Sequence, residues 1–169
     1  ALKLAIKTFN WLEKYAHDPI NKSYFDLLNQ DGSQQKLITE KRGLQYLVKP
    51  NWKDQNSSIH LLEALTELYS IWKNDLLKIR LEEMLILIRD KLVTQTGYLN
   101  LYFDENWNPI SFRDSIDEVR NANSYLDHVS FGHDVETAYL MLEAEEILEN
   151  LDRSKTLSIA KKMVDHAIK

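Results

Sequence analysis

The stretch Asn56-Ser57-Ser58-Ile59-His60-Leu61-Leu62-Glu63-Ala64-Leu65-Thr66-Glu67-Leu68-Tyr69-Ser70-Ile71-Trp72-Lys73-Asn74-Asp75 decides how this chain folds. Ile59, Leu62, Leu65, Leu68, Tyr69 and Trp72 recur at the spacing of an α-helix that buries one face. Leu61 and Ala64 widen that stripe, so the helix must touch neighbours on more than one side. The spacing predicts a helix over 56–73. A second periodic run follows at once, with Leu77, Leu81, Met84, Leu85, Ile88 and Leu92 on the core face of a helix predicted over 76–93. The link around Asn74-Asp75 is short, which favours an antiparallel helical hairpin.

Downstream the plan repeats. A helix is predicted over 133–150, with Val135, Tyr139, Leu142, Ile147 and Leu148 apolar, and a returning one over 153–168, with Leu157, Ala160, Met163, Val164 and Ala167. Two hairpins of one design are the pattern of an all-α α/α solenoid or toroid, whose loops at one rim carry function. Upstream, Leu4, Ile6, Phe9, Trp11 and Leu12 predict a helix over 2–15, stopped by Asp18-Pro19. Tyr24 to Leu28 reads as a short strand leading into an Asn29-Gln30-Asp31-Gly32 turn, and the polar segment 33–53 ends as a loop at Pro50. Between Gln95 and Leu126 the helical period breaks. Tyr98 to Phe103 alternates like a strand, and Asp104 to Pro109 reads as a turn, so short strand pieces are expected in the loops.

Composition narrows the function classes. At 169 residues with 44% apolar side chains, the chain is read as one domain, 1–169, able to bury a sizeable core. The 21 Lys and Arg face 26 Asp and Glu, for a net charge of -5, and no basic-aromatic face suggests nucleic acid as a partner. No apolar run is long enough for a membrane span: Leu76 to Val93 is broken by seven charged residues, Lys78, Arg80, Glu82, Glu83, Arg89, Asp90 and Lys91. The chain is therefore expected to be soluble, without a membrane partner. Cysteine is absent, which rules out thiolate chemistry and fits a cytoplasmic setting. There is no starting Met, and Lys169 falls inside a helical pattern, so a piece of a longer protein is expected.

Chemistry concentrates at the heads of the two hairpins. In Ser130-Phe131-Gly132-His133-Asp134-Val135-Glu136 an imidazole opens an apolar helix, Gly132 is read as free to take backbone angles other residues avoid, and Glu136 is three residues from the ring, near enough to orient it. At the other head, Asn56 and His60 share a face and Glu63 follows His60 by three. Such a histidine can exchange protons with a substrate. The aromatic loop of Tyr98, Tyr102, Phe103 and Trp107 offers faces on which sugar rings pack, and Trp107 is taken as a binding candidate. A metal site through His128, His133 and Asp134 matches no ligand motif and is set aside.

The segment Asn56 to Ala64 with Leu68-Tyr69, and the segment Ser130 to Glu136 preceded by Tyr102 to Trp107, resemble two signatures of the N-acylglucosamine 2-epimerase superfamily, nearest its cellobiose 2-epimerase branch. The resemblance implies an (α/α)6 barrel around a sugar cleft, of which this chain is a part. It implies inversion at C2 of a mono- or disaccharide without a cofactor, and makes the residue at the place of His133 one of two histidines acting on opposite faces of C2. Asn56, His60 and Glu136 fall in the substrate-contacting and ring-orienting set. Removing the proton next to a carbonyl leaves an enediolate, so a base and donors for the oxyanion are required. His133 is the expected base, His60 and Asn56 are expected to hold hydroxyls and polarise the O1/O2 edge, Glu136 to fix the tautomer of His133, and Glu63 to support the substrate.

Family enzymes are about twice this length, and their second histidine lies in a later hairpin than this chain reaches. His166, on an outer-type helix, is read as a surface residue and a poor substitute. Part of a barrel leaves apolar helix faces in water, which normally seek a partner, either a second copy or the rest of the barrel. Two other readings share the motifs: an aldose-ketose isomerase of the same superfamily, and a noncatalytic carbohydrate-binding helical module.

Overall fold

The computed structural model describes residues 1–34, 51–149 and 152–169. The loop expected to end at Pro50 lies outside the described residues. Helix α1 spans Leu2–Tyr15, as its period predicts. Its core contact is Phe9, packed edge-on against Trp72 at 6.0 Å between ring centres. Asp18 Oδ1 accepts the amides of Ile20 and Asn21, both at 3.0 Å, and so closes the turn that follows.

The strand expected at Tyr24 to Leu28 does not form. Lys22 and Ser23 adopt positive φ values of 68° and 63°, which bend the chain. Only single bridges remain, His17 with Tyr24 and Leu28 with Gln34. The Asp31-Gly32 turn is present: Gly32 has φ 85°, and a Cβ there would come within 2.5 Å of the Tyr15 ring.

The first hairpin is helix α2, Gln55–Ile71, and helix α3, Asp75–Leu87. Each begins at a side-chain cap: Asp54 accepts the Ser57 amide at 2.5 Å, and Asn74 accepts that of Leu77 at 3.1 Å. The predicted continuation of α3 changes winding, because Ile88–Leu92 form a π-helical turn. That turn buries the Arg89 side chain between Asp90, 2.7 Å away, and Thr156 Oγ1, 3.3 Å away. Thr156 in turn donates to the buried Glu145 at 2.7 Å, and Glu145 also accepts the Asp152 amide at 2.8 Å. A polar network thus rivets the first hairpin to the second.

The second hairpin is helix α5, Phe131–Ile147, and helix α6, Arg153–Ala167. A short helix α4, Asp117–Ala122, lies in the connecting loop, where no helix is predicted. Helix α5 packs along α6 and also against α2, so the leading helices of the two hairpins stand side by side. Leu62, Leu81, Met84, Leu85, Ile88, Leu92, Met141 and Met163 are fully buried between them. On α5 the core face is Ala138, Leu140, Met141 and Ala144, whereas the expected core residues Val135 and Tyr139 are 44% and 59% exposed. Leu157 and Val164 of α6 are likewise exposed. The apolar stripe on α5 and α6 is wider than one interface, and the residues at its margin line an open groove.

One small sheet positions the site. Strand β1, Lys53–Asp54, pairs antiparallel with strand β2, Tyr102–Phe103, setting Lys53 against Phe103 and Asp54 against Tyr102. The alternation over 98–103 therefore yields two strand residues, plus a bridge between Val93 and Leu99. Gln55 N donates to Leu101 O at 2.9 Å just beyond the pair. Among the described residues, no helix is long and apolar enough to cross a membrane.

Candidate active site

The β1–β2 pair, the head of α2 and the head of α5 enclose a cavity of about 380 Å³. Asp54, Gln55, Asn56, Leu101, Tyr102, Tyr125, His128 and His133 line it. His133 is the third residue of α5, and its Nδ1 lies 2.8 Å from the amide nitrogen of Gln55. Gln55 thus holds the ring in the place expected of Glu136. Among the described residues no hydrogen bond joins Glu136 to His133, and Glu136 stands outside the cavity lining. Gly132 needs no unusual angle: it lies inside the helix, and a Cβ there would meet nothing within 4 Å. The expectation of special backbone freedom at Gly132 is corrected.

Asp134 turns away from the cavity. It is fully buried, and its Oδ1 accepts the Leu99 amide at 2.9 Å, fixing the loop that leads into β2. Burial pushes its carboxyl above the usual range, an effect the Leu99 bond and the histidines His166 and His133 partly offset. Its Oδ2 lies 3.9 Å from His166 Nδ1. His166 is not a plain surface residue: it is half-buried, with its ring against Tyr98 and Phe131 at 5.4 and 5.8 Å.

Of the residues expected on α2, Asn56 shares the cavity with His133, but His60 does not. One turn further along, His60 lines a neighbouring cavity of about 370 Å³ with Trp11, Phe25, Asp26 and Ser57. It pairs with Glu63 at 3.2 Å, and both side chains are about half exposed. Asp26 lines the second cavity and Asp54 the first. Burial first, and then the Asp54 charge, push the Asp26 carboxyl up to about 7. Burial and Asp54 also raise the Tyr102 phenol.

Trp107 is no sugar platform. It is 6% exposed, its Nε1 donates to Asn21 O at 2.9 Å, and its ring packs on Phe103. Lys53, buried and paired with Asp18 at 2.7 Å, lies 4.8 Å from the centre of the Trp107 ring. His128 reaches the cavity, its Nδ1 donating to Ser124 O at 3.1 Å. Among the described residues, no group of three or more His, Asp or Glu side chains is arranged to hold a metal ion. Tyr102 was legible as part of the aromatic loop, but Gln55 and Tyr125 had no signal as site residues, because only the β1–β2 pairing and the stacking of α2 on α5 bring them to His133.

The profile of the family described as N-acylglucosamine 2-epimerase (GlcNAc 2-epimerase) matches residues 34–169. The chain belongs to that family. Cellobiose 2-epimerase from Bacteroides fragilis is 28% identical over 151 residues, 88% of this chain and 33% of that protein. The Ruminococcus albus cellobiose 2-epimerase is 29% identical over 170 residues, 99% of this chain and 38% of that protein. The structure of cellobiose 2-epimerase from Spirochaeta thermophila superposes with a TM-score of 0.76 at 25% identity, covering 98% of this chain and 37% of that one. The chain thus spans 33% to 38% of the length of these relatives. Its helical hairpins are part of the α/α barrel of the N-acylglucosamine 2-epimerase family.

Proposed function

We propose that this chain supplies one catalytic wall of a sugar 2-epimerase acting on a mono- or disaccharide, with His133 as an acid/base on one face of C2. The observation that carries the reading is the cavity itself: His133 and Asn56, predicted from separate motifs 77 positions apart (133 minus 56), line the same space. His133 has one ring nitrogen engaged by Gln55, and among the described residues no hydrogen bond takes the other, which is available to a substrate. Asn56 offers both a donor and an acceptor to sugar hydroxyls. Epimerisation needs a proton returned from the opposite face, so a second acid/base completes the site, supplied by the remainder of the barrel.

His60 lines the adjoining cavity, and Glu63 pairs with it. Their role is to contact a more distant part of the sugar rather than C2.

The test is incubation of the whole protein with cellobiose, mannose or N-acetylmannosamine in deuterated water. Deuterium at C2 together with an epimer is the expected result. Ketose formation would select the isomerase reading instead. Sugar binding with neither exchange nor product would overturn catalysis and leave a carbohydrate-binding module.

A further inference from the structure

Gln55 is the first residue of α2, and its backbone is tied down by the bond from its amide to Leu101 O at 2.9 Å. The residue is 3% exposed, and its terminal amide has nearly the same shape with either end turned toward a neighbour. The nitrogen end of that amide lies 2.8 Å from Nδ1 of His133. An amide nitrogen only donates, so Nδ1 accepts, and the neutral ring then carries its proton on Nε2. The oxygen end is buried, and among the described residues no donor reaches it. A buried carbonyl oxygen left without a donor is costly, and turning the amide over would aim it at Nδ1.

We propose that Gln55 is a positioning residue that sets the tautomer of His133. Donating to Nδ1, it holds the ring as an Nε2–H donor with no lone pair there to take a proton. Turned over, it accepts from Nδ1–H through Oε1 and frees Nε2 as the base. The proposal rests on the epimerase reading of the site. In the base step the C2–H bond breaks, its electron pair passes into the enediolate, and the proton bonds to Nε2. The resulting imidazolium keeps its Nδ1–H on Gln55 Oε1. In the opposite direction of reaction, where the second acid/base removes the C2 proton, the imidazolium gives its Nε2 proton to C2 from the His133 face and returns to the neutral form with Nδ1–H still held.

The experiment is a two-bond proton–nitrogen correlation spectrum of the full chain labelled with ¹⁵N-histidine, recorded at about pH 8.5, some two units above the ordinary imidazole value. The His133 signals are assigned by their loss in His133→Asn. Wild type should show a single Nε2–H tautomer. Gln55→Glu, whose ionised carboxylate only accepts, should show Nδ1–H instead. Gln55→Leu, which offers neither end, should give an averaged mixture. A wild-type pattern in folded Gln55→Glu overturns the proposal. If that variant does not fold, unchanged His133 shifts in Gln55→Leu overturn it.

A kinetic arm separates this proposal from the reading beneath it. In the whole protein, Gln55→Leu should lower kcat for C2 exchange on the order of a hundredfold, within the range of a positioned acid/base, while KM stays within about twofold. Absent exchange in wild type sinks the epimerase reading and leaves the tautomer spectra to decide on Gln55. Normal exchange with unchanged spectra sinks Gln55 alone.

Discussion

The buried carboxylate of Asp134 accepts the backbone amide of Leu99 at 2.9 Å across 35 residues of sequence. The residue next to the candidate base is therefore the clamp that holds the β2 loop over α5. Replacing Asp134 by Ala leaves the Leu99 amide buried without an acceptor and should cost about 1–3 kcal/mol. Asp134→Asn keeps an acceptor and should cost less. Urea unfolding of both variants decides, and equal losses would remove the clamp from the account.

Asp26 predicts how stability changes with pH. Its carboxyl is raised from 3.8 to about 7, so the folded chain binds this proton more tightly than the unfolded chain does. The stabilising contribution is complete below the ordinary carboxylate value and is lost as pH rises through about 7. Asp26→Asn, neutral at every pH, should flatten this part of the profile and raise the melting temperature at alkaline pH relative to wild type. Parallel melting curves for the two proteins would contradict the raised Asp26 carboxyl.

Trp107 separates packing from sugar recognition. Its ring is buried on Phe103, so Trp107→Ala should cost about 3–5 kcal/mol in denaturant unfolding. A stable Trp107→Ala protein that loses only sugar affinity would restore the platform role.

His60 is exposed and, among the described residues, pairs only with Glu63, so His60→Ala should leave stability within about 0.5 kcal/mol of wild type. In the whole protein it should raise KM more than it lowers kcat. His133→Asn should instead reduce C2 exchange on the order of a hundredfold to ten-thousandfold with KM little changed. Interchanged behaviour of the two variants would move the base to His60.

Lys53 holds β1 in register by pairing with Asp18 at 2.7 Å in the interior. Lys53→Ala strands a buried carboxylate and should cost about 3–5 kcal/mol, whereas the double variant with Asp18→Asn should recover part of the loss. A double-mutant cycle in urea measures it, and simple additivity would show the pair to be uncoupled.

The helices were legible in the chain. The apolar period over Ile59 to Leu68 and over Leu77 to Ile88 depends on nearest turns of one helix, so it is written locally, as are the caps at Asp54 and Asn74. The head motifs likewise brought out Asn56 and His133 without knowledge of their distance. The face of α5 was misread because Val135 and Tyr139 satisfy the same period as Ala138 and Met141, and only the position of α2 and α6 tells which is covered. Glu136 is expected at the ring from helical spacing and from the family resemblance, but an amide from another helix occupies Nδ1.

Sequence by itself determined the hairpins, their order and the two motifs, since each rests on residues within a few turns of one another. Tertiary structure alone decided that His133 faces Gln55, that His60 opens into a different cavity, and that Trp107 is core. Those facts follow from a two-residue strand pairing and from the packing of α2 on α5, contacts between segments tens of residues apart that no local period encodes.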